Sequence, residues 1–260
     1  MTSWGFIEDS AIRLMVCLSG PSVIHIYSVA ARRLRSNKMR PFFEDLKKLE
    51  DMLCDMASLV RASIHKSVLC LTERDEIYGD QVLRDEALVN QLEIQIDDLA
   101  TRLVALNQPV AGDMRLIVAA LKINTDLERM GDLAVSIVQR SLPVLALAEL
   151  EPEVPITQMA TAVENMVAKC LSAFIRRDGD EARSVLNDDD EVDAMRTDIY
   201  NDLIRRMEKD SAMVRPALGR LFVVRNLERI ADHATNIAED VIFLARGIDV
   251  RHRRETDIPV

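Results

Sequence analysis

Glu128 and Asp132 stand four residues apart with Arg129 between them. Glu228 and Asp232 repeat the arrangement one hundred residues later around Arg229. Both pairs lie in stretches of helical character. Four residues is about one helical turn, so each pair of carboxylates leaves its helix on one face. More acids keep the same spacing: Glu93 with Asp97, Asp189 with Asp193, and Glu86, whose partner position is filled by Asn90. Oxygen-rich, sulfur-free clusters suit hard divalent cations such as Mg, Ca or Mn, and also iron. Carboxylates on facing bundle helices are one way to build di-metal sites, but those sites also use Glu-x-x-His, which is absent here. His233 follows Asp232, yet Leu133 holds the matching place. The plainer reading is a solvated acidic face on which Arg129 and Arg229 pair with neighbouring acids for roughly 0.2–0.5 kcal/mol each.

The elements that carry these acids read as long helices. Phe42, Phe43, Leu46, Leu49, Met52, Leu53, Met56, Leu59, Val60, Ile64, Val68 and Leu71 recur at spacings of three and four, with Pro41 at a first helical position. A polar break at 72–79 leads to a second helix over about 80–106, with Val82, Leu83, Leu88, Val89, Leu92, Ile96, Leu99 and Leu103 as its apolar stripe. Pro109 ends that helix, because the residue before a proline leaves helical space. A third helix spans about 113–147, with Pro143 near its end. Residues 149–155, with two prolines and three acids, form the hinge. Three further helices follow, over about 156–177, 179–209 and 215–246, and Gly247 is placed to cap the last. The methionines, Met52, Met56, Met114, Met130, Met159, Met166 and Met195 among them, read as core filler.

The halves are copies. Arg74 to Asn90 aligns without gaps on Arg177 to Asp193, an offset of 103; beyond the second helix the offset drops to 100, so that Leu121 meets Leu221 and Glu128 meets Glu228. Polar as well as apolar residues match, which favours duplication over coincident periodicity. The expected architecture is all-α, with two pseudo-symmetric three-helix bundles over residues 39–148 and 156–247. Residues 248–260 form a charged tail. Gly131, matched by Ala231, marks a close helix contact.

Composition narrows the function. A net charge of −10 argues against broad nucleic-acid binding, which needs a basic face. Cys17, Cys54, Cys70 and Cys170 form no CxxC pair and read as reduced, mostly buried thiols of a cytoplasmic protein. No nucleophile elbow, Walker loop, HExxH or dinucleotide-binding glycine motif occurs, so no enzyme is expected. Residues 1–38 do not match the rest. The apolar run from Leu14 to Ala31 is broken by Gly20-Pro21 and followed, rather than preceded, by arginines, which disfavours both a spanning helix and a signal peptide. An extension upstream of a natural start at Met39 is weighed above a membrane anchor, and no stable membrane insertion is expected.

Leu121-Lys122-Ile123-Asn124-Thr125-Asp126-Leu127-Glu128-Arg129-Met130-Gly131-Asp132 resembles the signature of the PhoU family, and Leu227 to Glu239 resembles its second copy. Gln108-Pro109 followed by Asp113-Met114-Arg115 is also similar to the family's link between second and third helices. The resemblance covers roughly residues 39–247. It implies a cytoplasmic, often dimeric negative regulator of the phosphate-starvation response. Such a regulator acts between the ATPase subunit of the phosphate ABC importer and the phosphate sensor histidine kinase. It further implies multinuclear metal clusters in some members, mapping here onto Glu128 with Asp132, Glu228 with Asp232, Glu93 with Asp97, and Asp189 with Asp193. This chain departs from the pattern at Asn90, which replaces an acid. It departs again at Arg196 and Tyr200, which stand where the second copy would mirror Glu93 and Asp97.

Overall fold

The computed structural model describes residues 21–147 and 155–250, with side chains from residue 41. Among the described residues the order is six α-helices and one 3-10 turn: α1 (Pro21–Thr72), α2 (Glu76–Asn107), α3 (Ala111–Leu145), α4 (Ile156–Arg176), α5 (Gly179–Lys209), the turn Ser211–Met213, and α6 (Val214–Arg246). No strand occurs among the described residues. The chain divides into a unit ending at Lys47 and a larger unit from Lys48 onward. In the first, Phe42 and Leu46 are buried and the Phe42 ring meets that of Phe43 edge-on at 5.5 Å. Pro41 does not open a helix as expected but lies inside α1. Much of the expected hinge, and Cys17, fall outside the described residues.

The larger unit holds the two bundles. α2 packs on α3, and α4 and α5 pack on each other and on α6. The same local devices build both copies. Arg74 and Arg177, equivalent in the repeat, both turn the chain with left-handed backbone, at φ 56° and 53°. The next residue is in each case an aspartate that caps the following helix: Asp75 accepts from the Ile77 N–H, and Asp178 from those of Asp180 and Glu181. α2 therefore starts at Glu76 rather than near residue 80, and the polar break shrinks accordingly. Lys66 Nζ on α1 donates to Asp85 Oδ2 on α2 at 2.6 Å, and the same pair recurs 103 residues on between Lys169 and Asp188, at 2.7 Å.

The bundles join through α3 and α6. Lys122 pairs with Asp240, Asp126 with His233, and Asn226 with Ser136, while Gly219 lies against Val144. Partner numbers fall as α3 numbers rise, so the helices run antiparallel, in a register that sets Gly131 level with Ala231. The doubled motif thus straddles the pseudo-twofold axis. Gly131 rests on α2, where an added Cβ would lie 3.4 Å from Val89 Cγ1, in keeping with a close helix contact.

Further expectations need correction. Leu83 and Leu88 are exposed, because the α2 face that packs is set by Val82, Val89, Ile96, Leu99 and Leu103, and the two leucines sit off that arc. Met114 is also exposed, in the first turn of α3. Pro143 lies near the end of α3, two residues before Leu145. Gly247 does cap α6, at φ 68°. Cys70 and Cys170 are buried free thiols and Cys54 is half-buried; burial pushes the Cys170 thiol well above its usual range.

Candidate functional site

Each bundle brings acids from two helices together. In the first, Glu128 of α3 carries a carboxyl raised above its ordinary value, first by burial and then by Asp132, with Glu93 of α2 adding and Arg129 opposing. Arg129 Nε lies 3.4 Å from Glu128 and its Nη1 3.7 Å from Asp132, so the guanidinium spans the pair. Asp97 is drawn off by Asn124, a buried α3 residue whose Nδ2 donates to Asp97 Oδ1 at 2.9 Å and to the Glu93 carbonyl at 3.1 Å. Glu86 is half-buried on α2 and is not among the charges that raise Glu128.

In the second bundle Asp189, the counterpart of Glu86, is the focus. Its carboxyl is pushed up to about 6, first by burial and then by Asp232, Asp193, Asp190 and Glu228. Asp193, Glu228 and Asp232 thus act on it electrostatically from α5 and α6. Arg196 stands at the edge, its Nε 3.5 Å from Asp193 and 3.8 Å from Glu228, and its guanidinium carbon lies 6.0 Å from the Tyr200 ring. The two positions that break the repeat thus supply a cation and an aromatic ring where the first bundle has Glu93 and Asp97.

Crowded carboxylates that raise one another's protonation constants are chemically suited to a hard cation. That chemistry fits Glu93, Glu128 and Asp132 in the first bundle, and Asp189, Asp193, Glu228 and Asp232 in the second. The rotamers do not converge, however: among the described residues no three His, Cys, Asp or Glu side chains gather closely enough to hold an ion. Arg129 and Arg196 meet part of the charge instead.

The seam between the bundles carries polar residues that the acid spacing did not single out. His233 Nδ1 lies 2.8 Å from Asp126 Oδ1, and Lys122 Nζ donates to the buried Asp240 at 2.5 Å. A signal was present, since polar residues interrupt the α3 apolar stripe at 122, 124 and 126. Which helix they would meet was not readable from spacing.

Fold and site define the class: an all-α protein of two repeated three-helix bundles with an acidic cluster in each. Family comparison places it further. The PhoU domain matches twice, at residues 53–141 and 156–241, and the chain belongs to the PhoU family. A Pseudomonas putida protein described as a phosphate-specific transport system accessory protein PhoU homolog is 37% identical over 213 residues, covering 81% of this chain and 83% of that protein. The crystal structure of PhoU from Pseudomonas aeruginosa is similar at a TM-score of 0.76 with 34% identity, over 80% of this chain and 100% of that one. The phosphate transport system regulatory protein PhoU of Streptococcus pneumoniae is similar at a TM-score of 0.73 with 28% identity, over 80% of this chain and 99% of that one. No helix among the described residues is long and apolar enough to cross a membrane.

Proposed function

We propose that this protein is a cytoplasmic, homodimeric accessory protein of phosphate transport that represses phosphate uptake and the phosphate-starvation response. It does so as a non-enzymatic adaptor between the ATPase subunit of the phosphate ABC importer and the sensor kinase. The observation that carries this reading is the family match over both bundles, with relatives named as phosphate transport accessory and regulatory proteins. Two bundles joined along one seam suit an adaptor, because each presents its own outer face to a partner. Deleting the gene is expected to derepress phosphate-starvation genes in rich phosphate, and the purified protein is expected to bind the importer ATPase. An unchanged phosphate response together with no ATPase binding overturns the reading.

A second reading is favoured by the crowding of acids that raises the Asp189 carboxyl to about 6. Glu93, Glu128 and Asp132, and separately Asp189, Asp193, Glu228 and Asp232, would hold divalent or iron-type ions, which would neutralise the clusters and stiffen the helix pairs. Elemental analysis of protein purified without chelator tests it, with Glu128→Gln/Asp132→Asn as control. Metal-free protein that keeps its regulatory activity rules metal out as the main role.

A further inference from the structure

We propose that the N-terminal half of α6 is a docking surface for an acidic amphipathic helix of a partner protein. Arg215, Leu218, Phe222 and Arg225 follow one another at spacings of three, four and three, so they form one stripe along the helix. All four are exposed, Leu218 at 42% and Phe222 at 43%, which puts two large apolar side chains on a face otherwise given to arginine. Arg140 of α3 sets its guanidinium carbon 5.0 Å from the Phe222 ring centroid, holding the ring and adding charge at its rim. From Val214 to Leu227 the chain carries three arginines and no acid, although the whole chain nets −10. Among the described residues Arg140, Arg215 and Arg225 have no carboxylate partner.

The other end of the seam shows what is missing. The repeat places Lys122 where α6 has Phe222, and Asp240 where α3 has Arg140. There the cation is met from within, by a buried aspartate at 2.5 Å. At the Phe222 end a ring and a guanidinium replace that pair, and among the described residues no acid meets the cation. A carboxylate supplied from outside completes the arrangement. Apolar residues between arginines along a helical ridge fit an opposing helix that carries bulky apolar residues flanked by Asp or Glu. Charge complementarity then selects the partner and its orientation.

The assignment deepens the adaptor reading and rests on it, yet the test is separate. A phage-displayed library of helical peptides, randomised at their outward positions, is panned on the full-length protein and counter-screened on Phe222→Ser/Arg225→Glu. Both positions are exposed, so this variant is expected to melt like the parent. Recovered peptides are expected to carry acids beside apolar residues at three- and four-residue spacing. They are expected to bind the parent at least about tenfold more tightly than the variant, and to weaken as salt is raised. Recovery of no binder, recovery of basic peptides, or equal affinity for the variant overturns the surface while leaving the gene-deletion phenotype intact. Sedimentation supplies the remaining outcome: a parent dimer that Phe222→Ser converts to monomer gives the face to a second copy, and the proposal falls.

Discussion

Lys66 Nζ donates to Asp85 Oδ2 at 2.6 Å, tying α1 to α2, and the bond has a copy in Lys169 and Asp188 that ties α4 to α5. The copies are not equally sheltered. Lys66 and Asp85 are 27% and 15% exposed, against 34% and 38% for Lys169 and Asp188. Exposed pairs contribute little, whereas removing one partner of a sheltered pair strands the other. Lys66→Ala is therefore expected to cost about 1–2 kcal/mol and Lys169→Ala about 0.5–1 kcal/mol. Urea denaturation of each variant checks the order, and equal losses contradict it.

Two glycines on equivalent helices face opposite outcomes. At Gly131 a Cβ would meet Val89 at 3.4 Å, and Ala231 occupies the matching place in the other copy, so Gly131→Ala is expected to be neutral or to stabilise by up to about 1 kcal/mol through helix propensity. At Gly219 the same atom would lie 2.7 Å and 2.9 Å from the two methyls of Val144. Valine is short and stiff, so it cannot swing aside. Gly219→Ala is expected to lose about 1–3 kcal/mol by overpacking the seam. Thermal melts of the two variants decide, since the expected shifts have opposite signs.

Asp189 makes folding sensitive to acid in an unusual direction. Its folded-state carboxyl titrates at about 6, above its ordinary value of 3.8. The folded state thus holds a proton that the unfolded chain releases, and stability from this group rises as pH falls from about 7 toward 4. Below the ordinary value the gain is complete. Solvent screening at a half-buried site reduces the effect to roughly 1 kcal/mol. Asp189→Asn is expected to stabilise the protein by about that amount at neutral pH and to flatten the profile between pH 4 and 6. Denaturant midpoints across that window test this, and a destabilised variant at pH 7 in metal-free buffer contradicts it.

Asp240 is nearly enclosed beside Lys122. Lys122→Met removes the ammonium but keeps most of the stem, taking away the cation 2.5 Å from a buried carboxylate. The expected cost is about 2–3 kcal/mol, read from denaturant midpoints. A variant that melts with the parent would show that other contacts satisfy Asp240.

Much of this protein is legible in its sequence because helices repeat every 3.6 residues and the chain carries its pattern twice. Apolar spacing locates six helices, the offsets of 103 and 100 expose the duplication, and the paired acids at 128, 132, 228 and 232 place one charged face on each third helix. What spacing along one helix cannot express is contact between helices far apart in the chain. Only packing draws Asp97 away to Asn124, sets Arg196 against Glu228, and leaves Glu86 out of the charges that raise Glu128 while its counterpart Asp189 feels four acids. The antiparallel register of α3 and α6 decides the rest. It brings residues about one hundred positions apart side by side, so that one end of the seam pairs Lys122 with Asp240 and the other sets Arg140 over the Phe222 ring.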